Sequence, residues 1–274
     1  KATLSSSDEE VRKFWVKHGI ACRKIGEYFY KRTGKVCVIN HWTPDGDKEF
    51  PIDTLTPRTQ LKKSYDEIFE ATKDVEGVMD GIESKVFGIG VESYTVGSAE
   101  FALSYALTRG ITPLMDNGHY HPTEVVSDKI SALLQFNSRI GLHITRSVRW
   151  DSDHVIRQND DLRACAQEIV KIGPENFIIA LDYFDASINR VACWSIGLRA
   201  AAKAVLASLL EPVNLTDPAE VAGDFTSRLM LIDEAKNLPV NAVWEYMLMK
   251  KDIAIGQDAL KAIKTYEKDV MATR

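Results

Sequence analysis

Acidic and imidazole side chains recur at the points where short apolar segments of this sequence end. Each such end carries at least one residue able to bind a metal ion or move a proton. The residues of this kind are Glu83, Lys85, Asp116, His119, His121, His143, Asp151, Asp153, Asp182 and Asp185. Carboxylates gathered in one dry cleft repel one another unless cations neutralise them. If the fold brings these segment ends together, the residues predict a site for divalent metal ions.

The same residues also have ordinary structural interpretations. A single Asp after a strand more often caps the next helix, and a single buried His is more often a hydrogen-bonded core residue. Four successive segment ends with the same chemistry favour the metal site over these alternatives. Imidazole among the ligands admits Mn²⁺, Co²⁺ or Zn²⁺. The group contains no cysteine, which argues against a structural zinc site, and it is large enough to hold two ions.

The apolar segments that carry these residues predict buried β-strands. They span residues 78–85, 112–116, 141–145 and 177–182, and the apolar segment 35–40 predicts a fifth strand. The intervening segments have helical spacing of apolar residues, at about 59–75, 98–109, 122–136 and 161–172. Strands that alternate with helices predict a parallel sheet, and in such sheets functional residues gather at the carboxyl ends of the strands. In extended backbone Glu83 and Lys85 point to the same side, as do Asp151 and Asp153.

The two ends of the chain are predicted to be helical. Ser7 and Glu10 have the spacing of a capping box, which predicts a helix that Gly34 ends. From residue 186 onward the pattern is helical, with interruptions expected at Pro212, Pro218 and Pro239.

Composition narrows the class of protein. The 274 residues are 45% hydrophobic with a net charge of −5, which is ordinary for a soluble protein and gives no electrostatic footprint for nucleic acid. No apolar run approaches the ~18 residues of a membrane span, and Lys1 leads directly into polar serines, so we expect no secretory signal. Four well-separated cysteines predict reduced thiols in a cytoplasmic protein. The Gly88–Gly90 loop lacks a third glycine and predicts a flexible connection rather than a nucleotide site.

Five stretches of the sequence resemble L-rhamnose isomerases, and together the resemblance covers essentially the whole chain. They are residues 83–98, 116–130, 148–155, 181–190 and 210–212. The resemblance implies a (β/α)8 TIM barrel in the α/β class, of which this chain carries the last five βα units plus a helical C-terminal extension. It implies a partial catalytic domain over 1–190, the extension over 191–274, a homotetramer and two divalent ions per subunit, with Mn²⁺ expected.

The resemblance also implies roles for individual residues. Lys85 is expected to contact a substrate oxygen and to take part in catalysis with Asp182. Trp42 is expected to line the sugar pocket, and Asp185 to bind substrate. The expected ligands of a structural ion are Glu83, Asp116, His143 and Asp182, and those of a catalytic ion are His119, Asp151 and Asp153.

The expected reaction is the isomerisation of L-rhamnose to L-rhamnulose, with a small sugar as the partner and neither nucleic acid nor membrane. A closed barrel needs eight strands, whereas the sequence predicts five, so the chain is expected to begin after the first three and to expose sheet edges. One alternative is a non-catalytic fragment with remnant metal sites. Another is a metal-dependent phosphodiester hydrolase on the same type of barrel, which the acidic charge balance disfavours.

Overall fold

A parallel β-sheet organises the first half of the molecule. The computed structural model describes residues 2–85, 93–121, 123–148, 153–183, 185 and 187–274. Within that part of the chain, one sheet contains five strands, which are β1 Cys37–Trp42, β3 Val78–Glu83, β5 Thr112–Asp116, β6 Ile140–His143 and β7 Phe177–Ala180. They lie side by side in that order. The α/β class and the five predicted strand positions are therefore confirmed.

The register of the sheet aligns the carboxyl ends of its strands. Trp42 at the end of β1 lies opposite Glu83 at the end of β3. Asp116 at the end of β5 lies opposite His143 at the end of β6, which in turn lies opposite Ala180 of β7. The residues with chemical potential thus emerge along one edge of the sheet, as parallel strands require.

Four helices accompany these strands, namely α1 Glu9–Thr33, α2 Leu55–Ala71, α3 Ala99–Arg109 and α4 Val126–Leu133. Leu61, Tyr65 and Ile68 of α2 are almost completely buried and pack with Ile82 of β3 and Tyr105 of α3 in one apolar cluster. Burying side chains of this size is worth roughly 1.5–3 kcal/mol each. This cluster fixes β3, and with it Glu83, against the helical layer.

The start of α1 corrects one sequence-based expectation. Asp8, not Ser7, is the N-cap, and its side chain accepts hydrogen bonds from the backbone N–H groups of Glu10 and Val11. A carboxylate at this position satisfies the free N–H groups and also lies at the positive end of the helix dipole. The predicted end is confirmed, because Gly34 adopts the left-handed conformation with φ 69°.

Other bounds differ in ways that local chemistry explains. Helix α2 begins at Leu55, four residues before the expected start, because the Asp53 carboxylate accepts hydrogen bonds from the N–H groups of Leu55 and Thr56.

A second, antiparallel pair of strands, β2 Gly46–Asp47 and β4 Tyr94–Thr95, is absent from the sequence-based prediction. Two-residue strands are too short to show the alternation on which strand prediction depends.

The chain divides into two compact units. The first comprises Lys1–His154 and Glu175–Asp182, and the second comprises Val155–Pro174 and Tyr183–Arg274. The second unit is helical, with α5 Asp160–Ile172, α6 Arg190–Leu209, α7 Val213–Val221, α8 Phe225–Glu234, α9 Val240–Lys250 and α10 Gly256–Asp269. The expected domain boundary between residues 190 and 191 stays a prediction.

The prolines of the second unit interrupt the helices less often than expected. Pro212 and Pro239 each lie directly before a helix, where the missing N–H costs nothing. Pro218, however, lies inside α7, so the interruption expected there is wrong. Helix α7 is only nine residues long, and a proline at its sixth position removes a single backbone hydrogen bond.

Helix α6 is the one described helix that meets the length and composition of a membrane span, and 33% of its most apolar window is buried. The expectation that no such run exists is too strict for this segment. Arg199 and Lys203 lie in the middle of α6, and both charges approach the ring of Trp244 in α9, at 5.7 and 5.8 Å. This packing within the second unit is typical of a helix in a helical layer.

Candidate metal centre

Four of the predicted ligands come together at the carboxyl edge of the sheet. One ligand atom from each lies within 4.8 Å of all the others in the group Glu83, Asp116, His143 and Asp182. His143 Nδ1 is at the centre, 3.3 Å from Glu83 Oε1, 3.6 Å from Asp116 Oδ2 and 3.4 Å from Asp182 Oδ2. We call these four residues the first group.

The first group fits a metal ion better than it fits a hydrogen-bond network. Within the described residues, Glu83 Oε1, Asp116 Oδ2 and His143 Nδ1 are buried atoms without a hydrogen-bond partner. Buried polar atoms are normally paired, so three orphans at one point require a reason. Ligand atoms about 2.1 Å from one ion lie roughly 3–3.5 Å from each other, close to the 3.3–3.6 Å that separate His143 Nδ1 from the three carboxylate oxygens.

The electrostatics of Glu83 reflect its two imidazole neighbours. Burial alone would raise the pKa of Glu83, but the contacts with His119 and His143 outweigh it and lower the pKa to about 2. Burial has the opposite effect on an imidazole and by itself would lower the pKa of His143. The contacts with Asp116 and Glu83 outweigh burial and raise the pKa of His143 to about 10. Glu83 is therefore anionic at neutral pH and holds positive charge beside it, which a divalent cation can supply.

Among the described residues, Asp116 is the most deeply buried carboxylate, with no exposed surface. Burial raises its pKa to about 6, against the lowering effect of His143 and His119. Its Oδ1 accepts hydrogen bonds from the Gly118 backbone N–H at 2.6 Å and from the Thr145 hydroxyl at 3.2 Å. These donors hold the side chain at the end of β5 with its second oxygen directed at the first group.

A second group consists of Asp116, His119 and Asp153, whose ligand atoms also lie within 4.8 Å of one another. His119 Nδ1 lies 2.9 Å from the Ser84 backbone oxygen, to which it donates, and 3.0 Å from Glu83 Oε1, while Nε2 faces the second group. Nε2 is 3.4 Å from Asp153 Oδ1, another buried oxygen without a hydrogen-bond partner among the described residues. Asp116 thus belongs to both groups.

Asp151, the remaining predicted ligand of the catalytic ion, lies outside the described residues. Its role stays a prediction.

The predicted substrate residues Lys85 and Trp42 are neighbours. Lys85 is only 4% exposed, and its ammonium lies 3.2 Å from His119 Nε2 and 5.3 Å from the centre of the Trp42 ring. Trp42 is 36% exposed and, with Asn40, lines a cavity of about 330 Å³ along β1. This part of the site therefore combines a cation beside the second group with an aromatic surface open to a ligand.

Asp185, the third predicted substrate residue, belongs to the second unit. Its carboxylate accepts hydrogen bonds from the backbone N–H and the hydroxyl of Ser187, at 2.9 and 2.5 Å. Its role stays a prediction.

Two residues that support the ligands were missed from the sequence. The Asn40 side-chain amide donates a short hydrogen bond to Glu83 Oε2, and Thr145 donates to Asp116. A signal for Asn40 is present in the sequence, because a polar residue two positions before Trp42 lies on the same face of the strand as Trp42. Thr145 lies two residues after His143 and has the same relation to it.

Comparison with known proteins places the chain first in a fold and then in a family. The fold resembles that of a D-psicose 3-epimerase from Clostridium cellulolyticum H10, with a TM-score of 0.50 and 14% identity over 75% of this chain and 73% of that one. It also resembles 3-keto-D-glucoside 4-epimerase YcjR from E. coli, with a TM-score of 0.51 and 13% identity over 71% of this chain and 73% of that one. At such low identity these likenesses concern the fold alone.

The family is defined by sequence. Residues 1–274 match the family model of RhaA, L-rhamnose isomerase. The chain is 48% identical to the L-rhamnose isomerase of Mannheimia succiniciproducens and 46% identical to those of Listeria innocua and Rhodopirellula baltica. These alignments cover 99–100% of this chain but only 64–66% of the relatives. The chain belongs to the L-rhamnose isomerase family and spans just under two thirds of the length of these relatives.

Proposed function

We propose that this chain is part of an enzyme that interconverts L-rhamnose and L-rhamnulose at a centre of two divalent ions. The observation that carries the proposal is the convergence of Glu83, Asp116, His143 and Asp182 around buried atoms that lack hydrogen-bond partners in the described chain. Membership of the L-rhamnose isomerase family supplies the substrate. The site offers ligands that suit divalent cations, and the family is named for a sugar isomerisation.

The ligands divide between the two ions as follows. The first group holds the structural ion, and His119 and Asp153, with Asp151, hold the catalytic ion. Asp116 is a member of both groups. When bound, the two ions supply Lewis acidity at the oxygens on C1 and C2 of the open-chain sugar. A set of carboxylate and imidazole donors without thiolate suits Mn²⁺ and also admits Co²⁺ or Zn²⁺.

The protein side chains orient the sugar and move its hydroxyl proton. In the reaction a hydrogen passes from C2 to C1, and the O2 hydroxyl proton passes to O1. Lys85 donates a hydrogen bond to the sugar oxygen on which negative charge develops. Asp182, whose side chain is 63% exposed at the rim of the first group, accepts the hydroxyl proton through a water molecule and returns it to O1. The Trp42 ring offers an apolar face to the C–H groups of the sugar.

We further propose that the sheet is five strands of an eight-stranded barrel. In the described chain β1 and β7 each pair with only one other strand, so both have an unpaired edge. Val38 on β1 and Ile179 on β7 are 37% and 44% exposed, although central barrel strands bury such residues. In this proposal the enzyme is a cytoplasmic homotetramer, and the many exposed apolar residues of α7–α10, such as Phe225 and Leu229, contribute to subunit contacts.

The test is a ketose assay with L-rhamnose on the intact purified protein. We expect turnover with Mn²⁺, its loss after chelation, and its return when Mn²⁺ is added back. Glu83→Gln removes the charge from the first group and should abolish turnover, whereas Glu70→Gln, on the exposed surface of α2, should leave it unchanged. Absence of ketose with Mn²⁺, Co²⁺ and Zn²⁺ alike would leave a non-catalytic, metal-binding protein as the better description.

A further inference from the structure

The carboxylates of the first group share an arrangement of their two oxygens. In Glu83, Oε2 accepts the hydrogen bond from Asn40, whereas Oε1 is buried, accepts no geometrically formed hydrogen bond in the described chain, and faces the imidazole nitrogens of His119 and His143 at 3.0 and 3.3 Å. In Asp116, Oδ1 accepts from Gly118 and Thr145, whereas Oδ2 is buried and equally without such a partner there. In both residues the oxygen without a partner is the one that approaches His143 Nδ1.

This arrangement has a consequence for how a cation is held. A carboxylate can bind a cation through one oxygen or through both. A hydrogen-bond donor that lies against one oxygen opposes rotation of the group and occupies a lone pair that a second contact with the cation would use. Glu83 and Asp116 are therefore prepared to offer one oxygen each.

We propose that Asn40 and Thr145 are positioning residues that restrict Glu83 and Asp116 to one coordinating oxygen each, so that the first group selects a small divalent ion over Ca²⁺. Ca²⁺ takes six to eight oxygen ligands and commonly gains them from bidentate carboxylates. Mn²⁺, Co²⁺ and Zn²⁺ accept fewer ligands and bind imidazole well. This inference rests on the metal centre of the proposed function and adds a reason for its selectivity.

The placement of the two donors suits this role. Asn40 lies on β1, and its neighbour in the register is Gly81, two residues before Glu83. The Asn40 amide reaches from β1 to the Glu83 carboxylate at the end of the neighbouring strand β3. Thr145 is 5% exposed and follows His143 by two residues, so one short segment supplies both a ligand and the donor that orients another ligand.

A role in selectivity differs measurably from a role in folding. Loss of rigidity in the site would weaken the binding of every divalent ion by a similar factor. Release of the second oxygen would weaken Mn²⁺ binding but leave Ca²⁺ binding unchanged or stronger, since Ca²⁺ gains a ligand. The ratio of the two dissociation constants therefore separates the two roles.

The experiment is calorimetric titration of the intact, chelator-treated protein with Mn²⁺ and, separately, with Ca²⁺. Asn40→Leu and Thr145→Val remove the donors at similar side-chain volume. We expect each to weaken Mn²⁺ binding by about 10- to 100-fold, as substitutions around metal ligands do, and to reduce the preference for Mn²⁺ over Ca²⁺ by at least about tenfold. Thr145→Ser, which keeps the hydroxyl, should retain the preference of the wild type.

Thr43→Val is the matched control. Thr43 is also buried, at 3% exposure, but its hydroxyl bonds to the Tyr65 hydroxyl at 2.8 Å and not to a carboxylate of the site. Its substitution should leave the ion preference within about twofold. If Asn40→Leu fails to fold by circular dichroism, Thr145→Val alone decides the result.

The inference is overturned if the donor-free variants keep the wild-type preference, whether or not both affinities fall together. That result leaves the isomerase proposal intact when the wild type still converts L-rhamnose. A wild-type protein that binds neither ion overturns the metal centre itself, and with it both proposals.

Discussion

Lys85 is a buried lysine whose charge is stabilised by its neighbours in the candidate site. A lysine with 4% exposure is unusual, because burial of an ammonium is costly unless nearby groups compensate. Here Glu83 precedes it by two residues on the same side of the chain, and the Trp42 ring faces its charge at 5.3 Å. The position is thus stabilised by a negative site on one side and an aromatic face on the other.

Substitution of Lys85 should therefore separate catalysis from metal binding. We expect Lys85→Met to lower kcat about 100- to 1,000-fold, the usual loss when one donor to a developing negative charge is removed. Metal content by plasma emission spectrometry should stay at the wild-type level, since Lys85 is not a ligand. Lys73→Met, on the exposed surface, is the control. A rise in KM with unchanged kcat would instead assign Lys85 to ground-state binding.

At the scale of elements, a buried arginine joins the first two helices. Arg12 of α1 has a fully buried side chain that donates to Glu9 at 2.6 and 2.8 Å, to Glu67 of α2 at 2.9 Å, and to Ser64 of α2 at 3.1 Å. The hydrogen bond from Arg12 lowers the pKa of Glu9 to about 2. Burial alone would raise the pKa of Glu67, but Arg12 outweighs it and lowers that pKa also.

We expect Arg12→Met to reduce the free energy of unfolding by about 2 kcal/mol at pH 7, from the loss of charged hydrogen bonds. Because both glutamate pKa values are lowered on folding, this contribution is complete above their unfolded value near 4.3 and disappears as pH falls towards about 2. Urea unfolding of the two proteins from pH 7 to pH 2 measures the difference. A difference in the free energy of unfolding that stays constant over this pH range would assign the loss of stability to packing alone. As a control, Arg32→Met at an exposed position of α1 should leave the free energy of unfolding almost unchanged.

Helix α6 offers a prediction in which packing opposes helix propensity. A Cβ atom added to Gly197 would lie 1.9 Å from the hydroxyl oxygen of Tyr183, a residue that is 6% exposed. Propensity alone favours alanine over glycine by about 1 kcal/mol, whereas overpacking costs about 1–3 kcal/mol. We expect Gly197→Ala to destabilise the protein, as measured by urea unfolding.

The Tyr183→Ala background provides the control for this prediction, because it removes the hydroxyl oxygen and the ring carbons that lie 1.9–2.9 Å from the new methyl group. The cost of Gly197→Ala should be smaller there, as a double-mutant cycle would reveal. Stabilisation by Gly197→Ala in the wild-type background would mean that Tyr183 moves away without cost.

The elements also indicate what a sequence can and cannot predict. The five parallel strands were predictable because strands covered on both faces are apolar throughout and end in turn or polar residues. The clustering of Glu83, Asp116, His143 and Asp182 followed from one rule about parallel strand ends. The donors that orient these ligands did not follow from it, because Asn40 meets Glu83 across 43 residues of chain. Such a pair depends on strand register, which no local pattern specifies.

Local chemistry limited the other predictions. Ser7 and Asp8 are adjacent N-cap candidates, and only the coordinates select Asp8. Pro218 remains in a helix because the rest of α7 has enough backbone hydrogen bonds to tolerate the loss of one. The spacing of β2 and β4 along the chain gave no signal, since their pairing joins two separate loops.

At the scale of the whole molecule, the metal groups connect distant parts of one unit. Their described members lie between Glu83 and Asp182 and come from the ends of β3, β5, β6 and β7 or from the loops that follow them. Every one of them belongs to the first unit, and none to the second. An ion in the first group would thus link four strands that are otherwise joined only by backbone hydrogen bonds and core packing.

Chelation should for this reason destabilise the molecule unevenly. A ligand present at 100 times its dissociation constant stabilises the native state by about 2.7 kcal/mol. We expect removal of the ions with EDTA to lower the thermal midpoint, and re-addition of Mn²⁺ to restore it. Hydrogen exchange should accelerate in β3, β5 and β6 and change little in α8–α10, since those helices contribute no ligand. In the Asp116→Asn variant, EDTA should lower the thermal midpoint only slightly. Equal acceleration of hydrogen exchange in both units would show that the ions stabilise the molecule by some route other than the strand ends.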